Sequence, residues 1–367
     1  MSTEPSCAGP SLTGAAGVDA LHARLLYAGL DLSSAGAPGT PLVVVELDDL
    51  AASGSVTITR AASLLHESLP LTVGVLRRPL APGLEPLLDA LTVTLTAAPS
   101  QRTPREVVSV PDVDAALQKV TDAVTHAPRA ALVCGQLLRR TGGAGTTSAL
   151  AAEAAAYSML LGGNEFARWL TERGTARPAP APSGDLVRVR REGARLSIVL
   201  DHSARRNSLG ARVREELLDA LLVAESDPGI ESVELRGAGP AFSSGGDLAE
   251  FGVAIDPVAA YLVRLDRAPW RVLDRIADRL TVRVHGACIG AGAEIAAFAG
   301  HVVAAPDTWF RFPEVAMGLI PGAGGTVSVP CRIGRWRAAW LMLTGTPLCA
   351  REALQWGLVD DISGAPG

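Results

Sequence analysis

Residues 289–301 read IGAGAEIAAFAGH, and one side chain in them, Glu294, does not fit its company. From Ile289 to Gly300 its neighbours are glycine, alanine, isoleucine and phenylalanine, the composition of a tightly packed helix or turn, where an ionised carboxylate is heavily penalised. Such a residue is kept for its chemistry, or it is a carboxylate at a helix N-terminus stabilised by the dipole. Working outward, TVRVHG (281–286) reads as a strand ahead of the glycines, and HVVAAP (301–306) and TWFRFP (308–313) read as strands after the helix. RWRAAWLMLTG (335–345) reads as a helix ended by Gly345. Upstream, LVRVRREGARLSIVLD (186–201) alternates as a hairpin turning at Glu192-Gly193, LGARVREELLDALLVAE (209–225) is an amphipathic helix, and IESVELRG (230–237) is a strand. Together these predict an α/β layer punctuated by Gly-rich turns.

The glycines do not form a dinucleotide fingerprint. GAGAEI lacks the third glycine and a ribose-binding acid at the required distance, and GAGPAF (237–242) opens no helix. What GAGPAFSSGGD (237–247) and HGACIGAGAE (285–294) share is a strand running into small residues. There a ligand oxygen can approach unsatisfied backbone N–H groups, and two such turns facing one another make an oxyanion hole.

The chain has 367 residues, 48% hydrophobic and 19% charged, enough for two domains with ordinary cores. Net charge is −5 with the charges scattered, and basic pairs such as Arg139-Arg140 and Arg205-Arg206 are short, so neither a nucleic-acid stripe nor a membrane patch is visible. The N-terminus lacks a signal-peptide pattern and no apolar run is of membrane-spanning length, which places the protein in the cytoplasm. Five cysteines without a CxxC pair read as reduced, mostly buried thiols, with no metal site implied. Lys119 is the sole lysine, so an anion clamp would use arginine or backbone N–H groups.

GTARPAPAPSGD (174–185) is an extended linker, with residues 175–185 as the boundary segment. Ahead of it, residues 1–40 form a flexible N-terminal segment and residues 41–174 a second α/β domain. Its strands are PLVVVEL (41–47), LTVGVL (71–76) and LTVTLTA (91–97), and its helices follow Asp112 and break at Gly162-Gly163.

The run RRNSLG (205–210), AFSSGGDL (241–248), HGACIGAGAEIA (285–296), FRFPEVAMGLIPGAGGT (310–326) and LTGTPLCAREALQWGLV (343–359) resembles the enoyl-CoA hydratase/isomerase (crotonase) superfamily over residues 186–362. The resemblance implies an α/β crotonase-like spiral of repeated ββα units with a helical layer in residues 186–367, preceded by a degenerate α/β copy. It also implies an acyl-CoA thioester as substrate, no cofactor beyond the coenzyme A of that substrate, and a homo-oligomer, a trimer or a dimer of trimers. By motif, the N–H groups of Gly246 and Ala291 hold the thioester oxygen, and Glu294 and Glu314 flank the water that is added or removed. Gly322 positions water or substrate, and Arg205, Arg206, Asn207 and Ser208 serve coenzyme A. Two carboxylates converging on one water suit syn hydration or dehydration, because one pKa rises and that group can donate while the other accepts. A double-bond isomerase, another thioester-enolate enzyme, or a non-catalytic partner subunit are the alternatives this reading leaves open. Residues 250–275 would set acyl specificity. Asp247 reads as a structural cap, and Trp270, Trp309 and Trp336 as core or interface. The helices the family carries after GLVDDI are expected instead from residues 107–174, docked back across the linker.

Overall fold

A computed structural model describes residues 29–99, 103–175, 184–254 and 256–364. The start of the flexible segment, most of the Pro-rich linker and Cys7 lie outside the described residues.

The first half is built on one parallel sheet in the order β1 (Leu42–Glu46), β2 (Leu71–Leu76), β3 (Val93–Thr96), β4 (Val107–Ser109). Every residue of β2 and β3 is buried, as expected of parallel strands covered on both faces. β4 is a strand that the sequence reading did not single out. Four helices follow, Val113–His126, Pro128–Thr141, Thr146–Leu161 and Asn164–Arg173. Asp112 caps the first by accepting from Ala115 N at 3.0 Å, and the last two divide at Gly162-Gly163.

In the second half the β5 (Val187–Glu192) and β6 (Arg195–Leu200) hairpin turns on Gly193-Ala194, one residue later than expected, because Gly193 takes a positive φ of 60° at the first turn position. A six-stranded sheet runs β13 (Asp361–Ile362), β10 (His301–Ala304), β8 (Leu280–Val284), β7 (Ser232–Gly237), β6, β5. A smaller sheet holds β12 (Leu348–Cys349), β11 (Trp309–Arg311) and β9 (Ala287–Ile289). Successive units place one strand in each sheet. β8 leads to β9 and the Ala291–Ala296 helix, and β10 leads to β11 and the Glu314–Met317 turn, with parallel pairing of β8 to β10 and β9 to β11. This is the ββα spiral.

The four helices of the first half pack on this spiral. Thr146–Leu161 lies against Pro257–Asp266 and Gly325–Ile333, while Arg335–Thr344 packs on Val113–His126, Pro128–Thr141, β3 and β4. One buried apolar cluster runs without interruption from Val73 and Val93 through Val120, Leu138 and Leu160 to Ile198, Val282 and Leu341. A satellite cluster of Val43, Leu47, Ile58, Leu65, Leu84 and Leu88 sits under the first sheet. Buried carboxylates pin helix starts within this layer, as where Glu165 accepts from Arg129 N at 2.9 Å and Ala130 N at 3.0 Å. Of the cysteines, Cys134 and Cys288 are buried, but Cys331 and Cys349 are exposed, because each lies at a helix edge turned to solvent.

Because Ala338, Ala339 and Met342 are buried on a helix covered by the first half, residues 184–367 produced alone should expose a large apolar face. That fragment is expected to aggregate and bind a hydrophobic dye while the full chain stays monodisperse in size-exclusion chromatography. A monodisperse fragment with cooperative melting would contradict the packing.

Candidate active site

Two glycine turns lie side by side because their backbones pair. Ser243 bridges Cys288 in parallel, with Ile289 N donating to Ser243 O at 3.0 Å and Ser243 N to Ala287 O at 3.2 Å. Gly245 at φ 88° sends its carbonyl to Leu209 N at 2.8 Å, and a Cβ there would fall 2.8 Å from Ile289 O. The N–H groups of Gly246 and Ala291, one just past each turn, have no acceptor among the described residues. Both residues line a cavity of about 680 Å³.

Glu294 and Glu314 line the same cavity. Glu294 is 1% exposed, and its Oε2 accepts from Ala323 N at 2.6 Å and Gly325 N at 2.8 Å. Glu314 opens the turn after β11, and its Oε2 is buried without a partner. Its Oε1 leans on Gly290, where a Cβ would come within 2.2 Å, so only glycine fits between the second glycine turn and this carboxylate. Burial pushes the Glu294 carboxyl well up, aided by the charges of Glu314 and Glu153 and opposed by the two N–H groups. Burial raises Glu314 from the usual 4.5 to about 8, with its own backbone N–H opposing and Glu153 adding to the rise. The site therefore holds a proton at neutral pH.

A third carboxylate comes from the first half. Glu153, 2% exposed on the Thr146–Leu161 helix, accepts from Gly324 N at 2.7 Å, Thr326 N at 2.9 Å and Thr326 Oγ1 at 2.6 Å. Burial raises it while these donors oppose. Sequence reasoning missed Glu153, yet its signal is the one that exposed Glu294: it is the sole charged residue in TTSALAAEAAAYSMLLGG (146–163). One turn on, Tyr157 lines the cavity with its ring against Gly322, where a Cβ would fall 2.3 Å from Cδ2. The peptide joining Gly322 to Ala323 is shared: its N–H goes to Glu294, and its carbonyl accepts from Arg264 Nη1 at 2.8 Å. A carbonyl polarised by a guanidinium makes its N–H a stronger donor.

Gly246, Ala291, Glu294, Glu314 and Gly322 thus meet on one cavity, whereas Arg205, Arg206, Asn207 and Ser208 are not among its lining residues. Arg205 pairs with Asp247, which also caps its own turn through Ala249 N at 2.9 Å. Asn207 is fully buried, accepting from His202 N and donating to Ala238 O, Ala241 O and Phe242 O, and Ser208 is 5% exposed. The Asn207 side chain is buried and bonded within this loop at both its oxygen and its nitrogen. Arg206 is exposed on the same loop. Trp270 is in the buried core as expected and in addition lines the cavity; Trp336 is buried and Trp309 is 36% exposed. Among the described residues no group of three or more His, Cys, Asp or Glu side chains is placed to hold a metal ion, and no helix is long and apolar enough to cross a membrane.

The family described as enoyl-CoA hydratase/isomerase matches residues 191–365. A probable enoyl-CoA hydratase of Bacillus subtilis (strain 168) is 32% identical over 166 residues, 45% of this chain and 64% of the relative. The 2,3-dehydroadipyl-CoA hydratase of Escherichia coli (strain K12) is 33% identical over 174 residues, 47% of this chain and 68% of the relative. The crystal structure of an enoyl-CoA hydratase from Thermoplasma volcanium GSS1 is 30% identical, with a TM-score of 0.45 over 49% of this chain and 72% of its own. The chain thus spans roughly two thirds of the curated relatives' lengths, 64% and 68%.

The raised carboxyl carries a stability signature. A Glu314 that is protonated in the fold up to about pH 8, but titrates near 4.5 when unfolded, makes the native state bind more protons between those values. Stability must then fall as pH rises through that window. Glu314→Gln, which cannot ionise, should gain on the wild type from pH 5 to pH 9, by on the order of 2–4 kcal/mol in denaturant titrations. A pH-independent difference between the two proteins would contradict the raised pKa.

Proposed function

The chain belongs to the enoyl-CoA hydratase/isomerase family, and on that premise we propose that it adds water to a 2-enoyl-CoA thioester, or removes water from the 3-hydroxyacyl-CoA. The observation that carries this reading is the meeting of two acyclic carboxylates, Glu294 and Glu314, with two unpaired N–H groups on one cavity. The thioester oxygen accepts from Gly246 N–H and Ala291 N–H. As the oxygen of a water held by the two glutamates bonds to C3, electron density moves through C2 to the thioester oxygen, where each preorganised donor is worth roughly 3 kcal/mol. One carboxylate accepts a proton from the attacking water, and the other, protonated through burial, gives its proton to C2. The product is the 3-hydroxyacyl thioester, and the pair has exchanged roles with no net gain of protons.

Arg206, exposed and without an ion pair among the described residues, would be the residue that meets the coenzyme phosphates, while Arg205 shapes the loop through Asp247. A homo-oligomer would cover Val253, Val258 and Leu262, which stand 70%, 66% and 57% exposed.

The test is a panel of 2-enoyl-CoA esters, followed by loss of the conjugated thioester absorbance. Glu294→Gln and Glu314→Gln should each lower kcat by about 10²-fold or more with little change in thioester affinity, since glutamine keeps the volume but cannot trade a proton. Undiminished turnover in either variant would rule the paired-carboxylate reaction out.

A further inference from the structure

Five carboxylates line the cavity: Glu294 and Glu314, already described, and three that are engaged elsewhere. Asp247 is held by Arg205 and Ala249 N, Asp256 caps its helix through Val258 N at 2.9 Å, and both oxygens of Glu250 accept from Ala211 N at 2.8 and 2.9 Å. On the basic side Arg267 lies at the rim with Asp266 at 3.1 Å. Two guanidiniums remain. Arg264 has no carboxylate within 4.0 Å among the described residues. It uses only Nη1, on Gly322 O, and stacks at 3.6 Å over the Tyr157 ring. Arg214 donates one bond, to Leu209 O at 3.1 Å, and reaches only the already engaged Glu250 at 3.8 Å. Burial pushes Arg214 down, with Glu250 opposing and the Arg264 charge adding to the fall, and both guanidiniums line the cavity. The Tyr157 hydroxyl makes no hydrogen bond among the described residues.

We propose that the cavity takes acyl-CoA thioesters whose acyl group carries a second carboxylate, bound by Arg214 and Arg264 with the Tyr157 hydroxyl as a further donor. This rests on the reading of the cavity as a thioester site, with the reacting carbons at Glu294 and Glu314. The shared Gly322–Ala323 peptide fixes the geometry: Glu294 is bonded to its N–H and Arg264 to its carbonyl, so the guanidinium stands across one peptide from the reacting end. An unbranched alkyl chain laid there would strip water from two cations and return no partner. A carboxylate accepts from both guanidiniums, whose planar donor sets match its two oxygens.

The experiment compares five- and six-carbon 2-enoyl-CoA esters with and without a terminal carboxylate. In the wild type kcat/KM should favour the carboxylate-bearing ester by on the order of tenfold or more, chiefly through KM. Arg214→Gln and Arg264→Gln should each bring that preference close to unity, and Arg264→Lys should keep part of it. Calorimetry with the saturated pair, adipoyl-CoA against hexanoyl-CoA, reads the same preference in unmodified protein without turnover. Equal binding and turnover of both classes would overturn the proposal and leave the hydration reading standing. A binding preference without hydration of any ester would overturn the reaction and leave the proposal standing. Equal loss of affinity for coenzyme A itself in both arginine variants would assign the guanidiniums to the coenzyme and overturn the proposal.

Discussion

The turn between residues 322 and 326 has four consecutive backbone N–H groups, and two buried glutamates divide them alternately. Glu294 takes Ala323 and Gly325, and Glu153 takes Gly324 and Thr326. Each carboxylate alone would be an expensive charge in an apolar interior. Shared along the start of one helix, they satisfy donors that no intrahelical carbonyl can reach. The glycines of PGAGG are what permit this, since a Cβ on Gly325 would fall 2.5 Å from Glu294 Cγ, and Gly324 takes φ 90°. The interaction joins the two halves of the chain beside the cavity. The first half is therefore part of the site's architecture, through Glu153 and Tyr157 on one helix face, and not an appended module.

The same clustering sets the chemistry. Three carboxyl groups that disfavour one another's ionisation keep a proton in a site that would otherwise be fully anionic at neutral pH. Facing the same cavity, the N–H groups of Gly246 and Ala291 have no acceptor among the described residues and are fixed in place by the surrounding main chain. Neither feature needs a mobile element, because both are held by main-chain pairing between neighbouring turns of the spiral.

Much of this was legible in the sequence, for identifiable reasons. Strand periodicity, Asp112 as a cap and Gly345 as a helix stop are local rules, and they gave the elements. Glu294 stood out because charge and composition conflict around it, and Glu314 by its place in a recognisable motif. Glu153 escaped because a glutamate among alanines is also an ordinary solvated helix residue, and its partners lie some 171 positions on. Asn207 was read as serving coenzyme A, and its amide is bonded within its own loop, a tertiary feature that residue type alone cannot reveal. Arg214 and Arg264 escaped because the pairing state of a surface-type residue is a tertiary property.

The central claim is that the buried carboxyl cluster retains a proton at neutral pH. Infrared difference spectroscopy across a pH titration, on the wild type and on Glu153→Gln, Glu294→Gln and Glu314→Gln, reports protonated carboxyl groups directly. The account predicts a carboxylic acid band at pH 7 that fades as pH rises past about 8 and is diminished by Glu314→Gln. A cluster already fully ionised at pH 7, with no such band in the wild type, would contradict it.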